Sequence, residues 1–194
     1  MLSYKESLKI LKETKALLDG HFILSSGLHS NQYVQCAKLL SNPSQAKIIC
    51  TSLVEKILST FKDINTVLSP ALGGMIAGYE VARQLNVKNI FAERVDGELS
   101  LRRGFEINKD SKILIMEDVI TTGKSALECY NLVKKYNGNF IGFSCIIDRS
   151  NTSLLIKDKI ISQIKLDIET FKENELPDYL KEIPSSSPGS RNIS

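Results

Sequence analysis

Two adjacent carboxylates, Glu117 and Asp118, directly follow an apolar run at residues 113–116. Such a run fits a strand buried on both faces of a parallel sheet, and ligands of these sheets bind at the carboxyl ends of the strands. Carboxylates at that edge can accept hydrogen bonds from vicinal hydroxyls, such as a ribose 2′,3′-diol. Residues 121–125 then open a helix, where hydroxyls and backbone N–H groups favour a phosphate dianion. The segment therefore predicts a sugar-phosphate site.

A nucleotide triphosphatase is the obvious alternative, because Gly123-Lys124-Ser125 ends like a P-loop. The first glycine of that motif would fall at position 118, which is Asp118. The sequence therefore argues against a P-loop. A strand, loop and helix with an incidental acidic pair is the remaining structural alternative.

Two further places could hold an anionic ligand. Arg149 follows an apolar strand at residues 140–147, and its planar guanidinium would suit a carboxylate better than a lysine would. An arginine at a strand end is also commonly an ordinary solvated residue. Residues 69–74 end in Gly73-Gly74, which would let the backbone approach a diphosphate closely, although any tight turn between strand and helix can use such glycines.

Alternating strand and helix periods predict an α/β domain with a mostly parallel sheet that would position these groups. A helix is predicted over residues 4–18, stopped by Gly20, and residues 21–37 suggest a hairpin-like excursion. Another helix starts at Asn42-Pro43, and a polar loop runs through Gly104. The other predicted helices are 75–85 and 124–136, and the predicted strands are 64–68, 87–92, 112–116 and 140–147.

Composition limits the class of protein. The 194 residues, 42% hydrophobic and 24% charged, fit one soluble domain over residues 1–183 with a Ser/Pro-rich tail at 184–194. A net charge of +3 gives no reason to expect nucleic-acid binding. The four cysteines form no CxxC pair, no zinc pattern is present, and no apolar segment suits a signal peptide or a membrane span. We therefore expect a cytoplasmic protein with buried, reduced thiols and no membrane partner.

Residues 113–125 resemble the phosphoribosyl-diphosphate signature of the type I phosphoribosyltransferases at every position. Three other stretches, at residues 22–33, 91–105 and 188–191, resemble the orotate-using branch of that family. The resemblance covers nearly the whole chain. It implies the family fold, a central mostly parallel sheet flanked by helices, with a small hood from about residues 20–40 and 150–183.

The resemblance also implies a reaction and its residues. Orotate and phosphoribosyl diphosphate would give orotidine 5′-monophosphate and diphosphate, in pyrimidine synthesis. Glu117 and Asp118 would hold the ribose hydroxyls and help to stabilise a cationic ribose ring. The remaining substrate-binding positions that it implies are Val119, Ile120, Thr121, Thr122, Gly123, Lys124 and Ser125 for the 5′-phosphate, Arg149, Ser25 and Tyr33 for orotate, and Ala71, Leu72 and Gly73 for diphosphate. Thr121 would also contact orotate.

The loop expected to close over the active site, called the lid below, departs from the common family pattern. Many members close the site of the partner subunit with a loop that carries an Arg-Lys pair, another lysine and a histidine. The corresponding stretch here contains Arg94, Arg102 and Arg103 but neither lysine nor histidine. The sequence does not decide which of these arginines would contact diphosphate. A lysine common in the N-terminal loop is also missing, with Ser25 nearest to its place. Of the two histidines, we expect His29 at the edge of the site and His21 in a structural role.

The resemblance further implies a homodimer with shared active sites, and Mg²⁺ bound mainly through substrate oxygens and water. Two other functions remain open. One is a phosphoribosyltransferase for another base, since the signature segment does not select the base. The other is a non-catalytic regulator that senses phosphoribosyl diphosphate, although the sequence has no appended helix-turn-helix domain and no basic stripe for nucleic acid.

Overall fold

The computed structural model describes residues 1–24 and 26–188. Its helices are α1 (Tyr4–Glu13), α2 (Cys36–Leu40), α3 (Pro43–Thr60), α4 (Gly73–Leu85), α5 (Lys124–Lys135) and α6 (Asp178–Lys181), with a 3₁₀ turn at Glu173–Glu175. Its strands are β1 (Leu17–Ile23), β2 (His29–Val34), β3 (Thr66–Pro70), β4 (Lys88–Val95), β5 (Glu98–Leu101), β6 (Lys112–Ile120), β7 (Asn139–Asp148), β8 (Ile160–Lys165), β9 (Thr170–Phe171) and β10 (Ser185–Ser186).

A six-stranded sheet forms the centre of the molecule, in the order β5-β4-β3-β6-β7-β8. Every neighbouring pair is parallel except β4 with β5. The predicted α/β class with a mostly parallel sheet is thus confirmed. Because β3, β6 and β7 run in the same direction, their carboxyl ends meet at one edge of the sheet.

Alternating side chains of the central strand β6 belong to two hydrophobic cores, one on each face of the sheet. Leu114 and Met116 pack with α3 and α4 on one face, whereas Ile113 and Ile115 pack with α5 on the other. Residues that alternate in a strand point to opposite faces of the sheet, so a continuous apolar run is the pattern of a strand covered on both sides. This burial fixes the register of β6 and therefore the position of the residues at its end.

A smaller sheet, in the order β10-β1-β2-β9, forms the hood. The N-terminal hairpin supplies its centre, while Thr170–Phe171 and Ser185–Ser186 add short strands from the C-terminal part of the chain. The segment Ile160–Lys165 lies instead in the large sheet, paired with β7. Of residues 150–183, Thr170–Phe171 pairs in the smaller sheet, and Ser185–Ser186 joins that sheet from beyond this range.

The first helix is shorter than the predicted range 4–18. It ends at Glu13, where the Thr14 hydroxyl donates to the carbonyl of Ile10 and Lys15 takes a left-handed φ of 58°. Leu17 then starts β1 rather than a further helical turn. The prediction was wrong here because Leu17 and Leu18 fit both the helix period and the strand period. Pairing with β2 makes them part of a strand.

The stretch predicted as a polar loop through Gly104 is largely a hairpin. Strand β4 continues to Val95 and pairs antiparallel with β5. Asp96 and Gly97 form its two-residue turn with φ values of 49° and 88°. Asp-Gly is a strong sequence signal for such a turn, because both central residues need positive φ.

The start of α3 is as predicted. The Asn42 side chain accepts a hydrogen bond from the backbone N–H of Gln45 at 3.3 Å, and Pro43 occupies the first turn. Cys36, Cys50, Cys129 and Cys145 are buried with free thiols. Within the described residues, no helix has the length and apolar character needed to cross a bilayer.

Candidate active site

The turn after β6 lines a pocket at the carboxyl edge of the large sheet. The lining residues are Glu117, Val119, Ile120, Thr121, Thr122, Gly123, Lys124 and Ser125. The turn ends where α5 begins, so backbone N–H groups of the first helical turn face the same space. This arrangement suits a phosphate group, since N–H groups and the helix dipole both favour negative charge.

Gly123 gives the turn its shape. Its φ of 76° lies in the left-handed region, and a Cβ placed there would lie 2.7 Å from Cδ1 of Ile156. The backbone N–H of Leu155 also donates to the carbonyl of Thr122 at 2.9 Å. The segment around Leu155 and Ile156 therefore packs against the turn and holds it closed. Sequence reasoning missed this support, because some thirty residues separate the two segments.

The acidic pair lies inside β6, which continues to Ile120 rather than ending at Met116. Both carboxylates are half-buried. Burial first, and then the charge of Asp118, raise the pKa of Glu117 to about 9. Burial also raises the pKa of Asp118. Two neighbouring, half-buried carboxyl groups favour a cationic or hydroxyl-rich ligand, because such a ligand would offset their mutual repulsion.

The glycine turn at the start of α4 packs directly against this pair. A Cβ on Gly73 would lie 2.5 Å from Oδ2 of Asp118, and one on Gly74 would lie 2.7 Å from Oε1 of Glu117. The preceding Ala71-Leu72 peptide bond is cis. The structure thus brings the residues predicted for diphosphate beside those predicted for ribose.

Arg149 enters the same edge from β7. Its backbone N–H donates to the carbonyl of Ile120 at 2.8 Å, which holds it beside the start of the turn at residues 121–125, the phosphate turn. The Nε of the Arg149 side chain is buried and has no hydrogen-bond partner within residues 1–24 and 26–188. Burial lowers the pKa of the Arg149 guanidinium, and nearby Tyr33 opposes this effect. A buried donor without a partner carries a desolvation cost that an anionic ligand would remove.

The three lid arginines lie on or just after the β4–β5 hairpin. Arg94 pairs with Glu128 of α5 at 2.7 Å, and Arg103 makes two hydrogen bonds of 2.8 Å to Glu93. Arg102 is exposed and takes part in no ion pair within the described residues. Sequence reasoning missed the Glu128 contact, since that partner lies on a different element.

The N-terminal loop is only partly described, because Ser25 lies outside the described residues. His29 is buried, with 7% of its surface exposed, and its Nδ1 lies 2.6 Å from Nε2 of His21. The Nδ1 of His21 is 2.9 Å from the carbonyl oxygen of Ile183. A place for His29 at the edge of the site stays a prediction. Both rings hold the hood to the C-terminal segment.

A model of a known protein family matches most of the chain. Residues 37–181 match the family model described as "Phosphoribosyl transferase domain". This match contains the acidic pair, the phosphate turn and Arg149.

Two curated relatives match along almost their whole length. The orotate phosphoribosyltransferase of Caldicellulosiruptor bescii is 46% identical over 186 residues, covering 95% of this chain and 96% of the relative. The enzyme of that name from Chlorobium phaeobacteroides is 44% identical, covering 95% of this chain and 94% of the relative.

A solved structure agrees at the level of the fold. The orotate phosphoribosyltransferase of Aeropyrum pernix superposes with a TM-score of 0.70 at 20% identity, covering 81% of this chain and 92% of that one. Identity this low supports the fold alone. Taken with the family model and the curated relatives, it means that the chain belongs to the phosphoribosyltransferase family and, within it, to the orotate phosphoribosyltransferases.

Proposed function

We propose that the protein transfers the 5-phosphoribosyl group from phosphoribosyl diphosphate to orotate, giving orotidine 5′-monophosphate and diphosphate in pyrimidine nucleotide synthesis. One observation carries the proposal. The acidic pair, the phosphate turn, the glycine turn at the start of α4 and the Nε of Arg149, which has no partner among the described residues, meet at one edge of the sheet. A substrate with a ribose between a phosphate and a diphosphate, beside a carboxylate-bearing base, matches these groups.

The proposed chemistry relies on positioning and electrostatics rather than on a nucleophilic side chain. The turn at residues 121–125 would hold the 5′-phosphate, and Glu117 and Asp118 would accept hydrogen bonds from the ribose hydroxyls. As the bond from C1′ to diphosphate breaks and the bond to the orotate nitrogen forms, positive charge builds on the ribose ring. Asp118 lies beside the ring and would stabilise that charge without having to move. Glu117 would add a second negative charge once a cationic ligand displaces its proton.

Arg149 would bind the base through its carboxylate. A guanidinium offers parallel N–H donors that match two carboxylate oxygens, and an ion pair is stronger where water is excluded. The hydrogen bond between the Arg149 backbone and Ile120 fixes where the side chain starts, next to the phosphate turn. Tyr33, close enough to affect the pKa of Arg149, belongs to the same proposed orotate site.

A magnesium ion is also part of the proposal. The carboxylates of Glu117 and Asp118 are hard oxygen donors of the kind that Mg²⁺ prefers. Within the described residues, no cluster of three or more His, Cys, Asp or Glu side chains could form a protein cage. Substrate oxygens and water would therefore be its main ligands. The ion would offset the negative charge of the diphosphate as that group leaves.

The proposed assembly is a cytoplasmic homodimer without a nucleic-acid or membrane partner. The homodimer is supported by an exposed apolar stripe at the start of α4, where Leu72, Ile76 and Tyr79 are 79%, 54% and 61% exposed. Residues at this spacing share one face of a helix. Because the stripe begins in the glycine turn, a second copy packed there would adjoin the active site. Light scattering during size-exclusion chromatography tests the dimer.

A base-competition assay tests the reaction. Orotate absorbance is followed with phosphoribosyl diphosphate and Mg²⁺, with adenine, hypoxanthine and uracil offered as competing bases. We expect turnover of orotate alone. Turnover of a purine without turnover of orotate would reassign the base, and binding of phosphoribosyl diphosphate without any turnover would favour a sensing role.

A further inference from the structure

Two main-chain hydrogen bonds hold the chain where β7 ends and Arg149 follows. The backbone N–H of Arg149 donates to the carbonyl of Ile120, and the carbonyl of Asp148 accepts from the backbone N–H of Leu166, both at 2.8 Å. Asp148 is also paired in register with Ile120 of β6 and with Lys165 of β8. These contacts fix the backbone up to Arg149 but do not act on the chain beyond it.

A side chain provides the third contact at this point. The Oδ1 of Asp148 accepts a hydrogen bond from the backbone N–H of Ser150 at 2.8 Å. This bond joins the residues before and after Arg149, which restricts the backbone rotation of Arg149 itself. Aspartate favours such a turn because its carboxylate reaches the backbone N–H two residues further on. Among the described residues, no other side chain makes a hydrogen bond to the backbone of residues 148–150.

The guanidinium of Arg149 takes its direction mainly from the backbone. Its Nε is buried and has no hydrogen-bond partner among the described residues. The arginines that form ion pairs in that part of the chain are Arg83, Arg94 and Arg103. A turn that fixes the backbone around Arg149 therefore also fixes where the guanidinium points.

The carboxylate of Asp148 is buried in spite of its charge. Only 7% of the residue is exposed, and its Oδ2 lies 4.0 Å from Nζ of Lys165, whose side chain is 63% exposed. An ion pair of this length with an exposed lysine compensates little for removing a carboxylate from water. The short polar contact of the buried group is the hydrogen bond from Ser150. The role of Asp148 therefore lies in accepting this hydrogen bond more than in its charge.

The chain beyond this turn is fastened by contacts that do not involve Asp148. The backbone N–H of Leu155 donates to the carbonyl of Thr122 at 2.9 Å, and Ile156 packs against Gly123. The phosphate turn therefore keeps this support when the side chain of Asp148 is shortened. A change at Asp148 should act on the neighbouring arginine and not on the phosphate.

We propose that Asp148 is a positioning residue for orotate that acts through Arg149. Its carboxylate holds the backbone N–H of Ser150, this hydrogen bond closes the turn around Arg149, and the turn holds the guanidinium at the proposed orotate site. Asp148 itself does not contact the substrate. The inference rests on the proposed function, since it takes Arg149 as the residue that binds the base.

Steady-state kinetics of three variants test the proposal. Asp148→Ala removes the acceptor, so it should raise the KM for orotate about tenfold with little change in kcat, as expected for a weakened charge-assisted hydrogen bond. The KM for phosphoribosyl diphosphate should stay within about twofold of the wild-type value. Asp148→Asn keeps an oxygen that can accept from Ser150 and should recover most of the orotate affinity. Lys165→Ala removes only the long ion pair and is the control, which should behave like the wild type.

A general loss of structure would affect both substrates alike. An equal rise of both KM values in Asp148→Ala, or an unchanged KM for orotate, would overturn the proposal. Asp148→Asn as impaired as Asp148→Ala would also overturn it, because the charge and not the acceptor would then be required. If circular dichroism shows that Asp148→Ala does not fold, Asp148→Ser takes its place with the same outcomes, since a hydroxyl makes the same turn more weakly.

Hydrogen exchange checks the route through Arg149 without any substrate. The buried Nε–H of Arg149 gives a proton–nitrogen NMR signal, which is identified by its loss in Arg149→Lys. Exchange of this proton with water should be about tenfold faster or more in Asp148→Ala and close to the wild-type rate in Asp148→Asn. A wild-type rate in Asp148→Ala would overturn the proposal. If the wild type fails to use orotate while Asp148→Ala still speeds this exchange, the proposed base is wrong and Asp148 still positions Arg149.

Discussion

The Asp118 carboxylate packs against the backbone of Gly73 so closely that a methyl group on Gly73 would lie 2.5 Å from Oδ2. Gly73 begins α4 and Asp118 lies in β6, so forty-five residues separate them in sequence. The glycine is therefore required by the position of the carboxylate, and not by a left-handed backbone. This contact joins the proposed diphosphate turn to the proposed ribose site.

Substitution Gly73→Ala should displace the Asp118 carboxylate and lower kcat/KM for phosphoribosyl diphosphate by about tenfold or more, because the new Cβ and the carboxylate cannot occupy the same space. A double-mutant cycle with Asp118→Asn checks the route of the effect. If the effect passes through Asp118, Gly73→Ala should change activity much less in the Asp118→Asn background. Equal effects in both backgrounds would contradict this explanation.

The second prediction concerns charge at Asp118 itself. Asp118→Asn should lower kcat by more than about tenfold, because a carboxylate facing the developing positive charge is lost. Folding should be preserved, since burial already disfavours the charged form, as the raised pKa of Asp118 shows. Circular dichroism and single-turnover kinetics measure the two effects. A wild-type kcat in this variant would remove Asp118 from the mechanism.

The third prediction follows from the Glu117 pKa of about 9. The folded protein holds this proton more tightly than the unfolded chain, so the Glu117 contribution lowers the free energy of unfolding as pH rises from the ordinary glutamate range toward 9. Without ligand at pH 8, Glu117→Gln should therefore be more stable than the wild type, by on the order of 1 kcal/mol or more.

Urea unfolding across this pH range measures the effect, with the exposed Glu98→Gln as the matched control. The Glu98→Gln profile should run parallel to that of the wild type. If the profile of Glu117→Gln also ran parallel, the proton on Glu117 would not distinguish the folded state from the unfolded state.

The fourth prediction concerns the base. Arg149→Ala should weaken orotate binding by about 1.5–3 kcal/mol, the scale of a hydrogen bond to a charged group, and leave phosphoribosyl diphosphate nearly unaffected. Arg149→Lys keeps a charge but not the planar fork, so it should recover only part of the affinity. Steady-state kinetics with each substrate varied in turn provide the measurement. An unchanged orotate KM in Arg149→Ala would refute the assignment.

The fifth prediction concerns the phosphate turn. Gly123→Ala should destabilise the protein by about 1–2 kcal/mol from the left-handed φ alone, and further through contact with Ile156. It should also raise the KM for phosphoribosyl diphosphate. In an Ile156→Ala background the additional cost of Gly123→Ala should fall toward the backbone contribution. An equal cost in both backgrounds would show that Ile156 does not constrain the turn.

Contiguous features of this protein could be predicted from sequence. The apolar run, the acidic pair and the small-residue turn are adjacent along the chain, so their order alone placed them at the end of a strand and the start of a helix. The capped start of α3 at Asn42 is equally local. Predictions failed where a short apolar segment fits both the helix and the strand period, as at Leu17. They also failed where the Asp96-Gly97 turn joins two strands within a stretch predicted as a loop.

The amino-acid sequence by itself determined the α/β class, the signature segment and the candidate cations, because each depends on local periodicity or on neighbouring residues. Only the tertiary structure decided which of them meet. Packing placed Gly73 against Asp118, and sheet register placed Arg149 beside Ile120. Register also aligned Leu101 with Pro70 across strand β4. Arg94 and Arg103 are paired with carboxylates of other residues. Burial in that assembled edge also shifts the pKa of Glu117, since desolvation depends on the residues that surround a group in space and not on its neighbours along the chain.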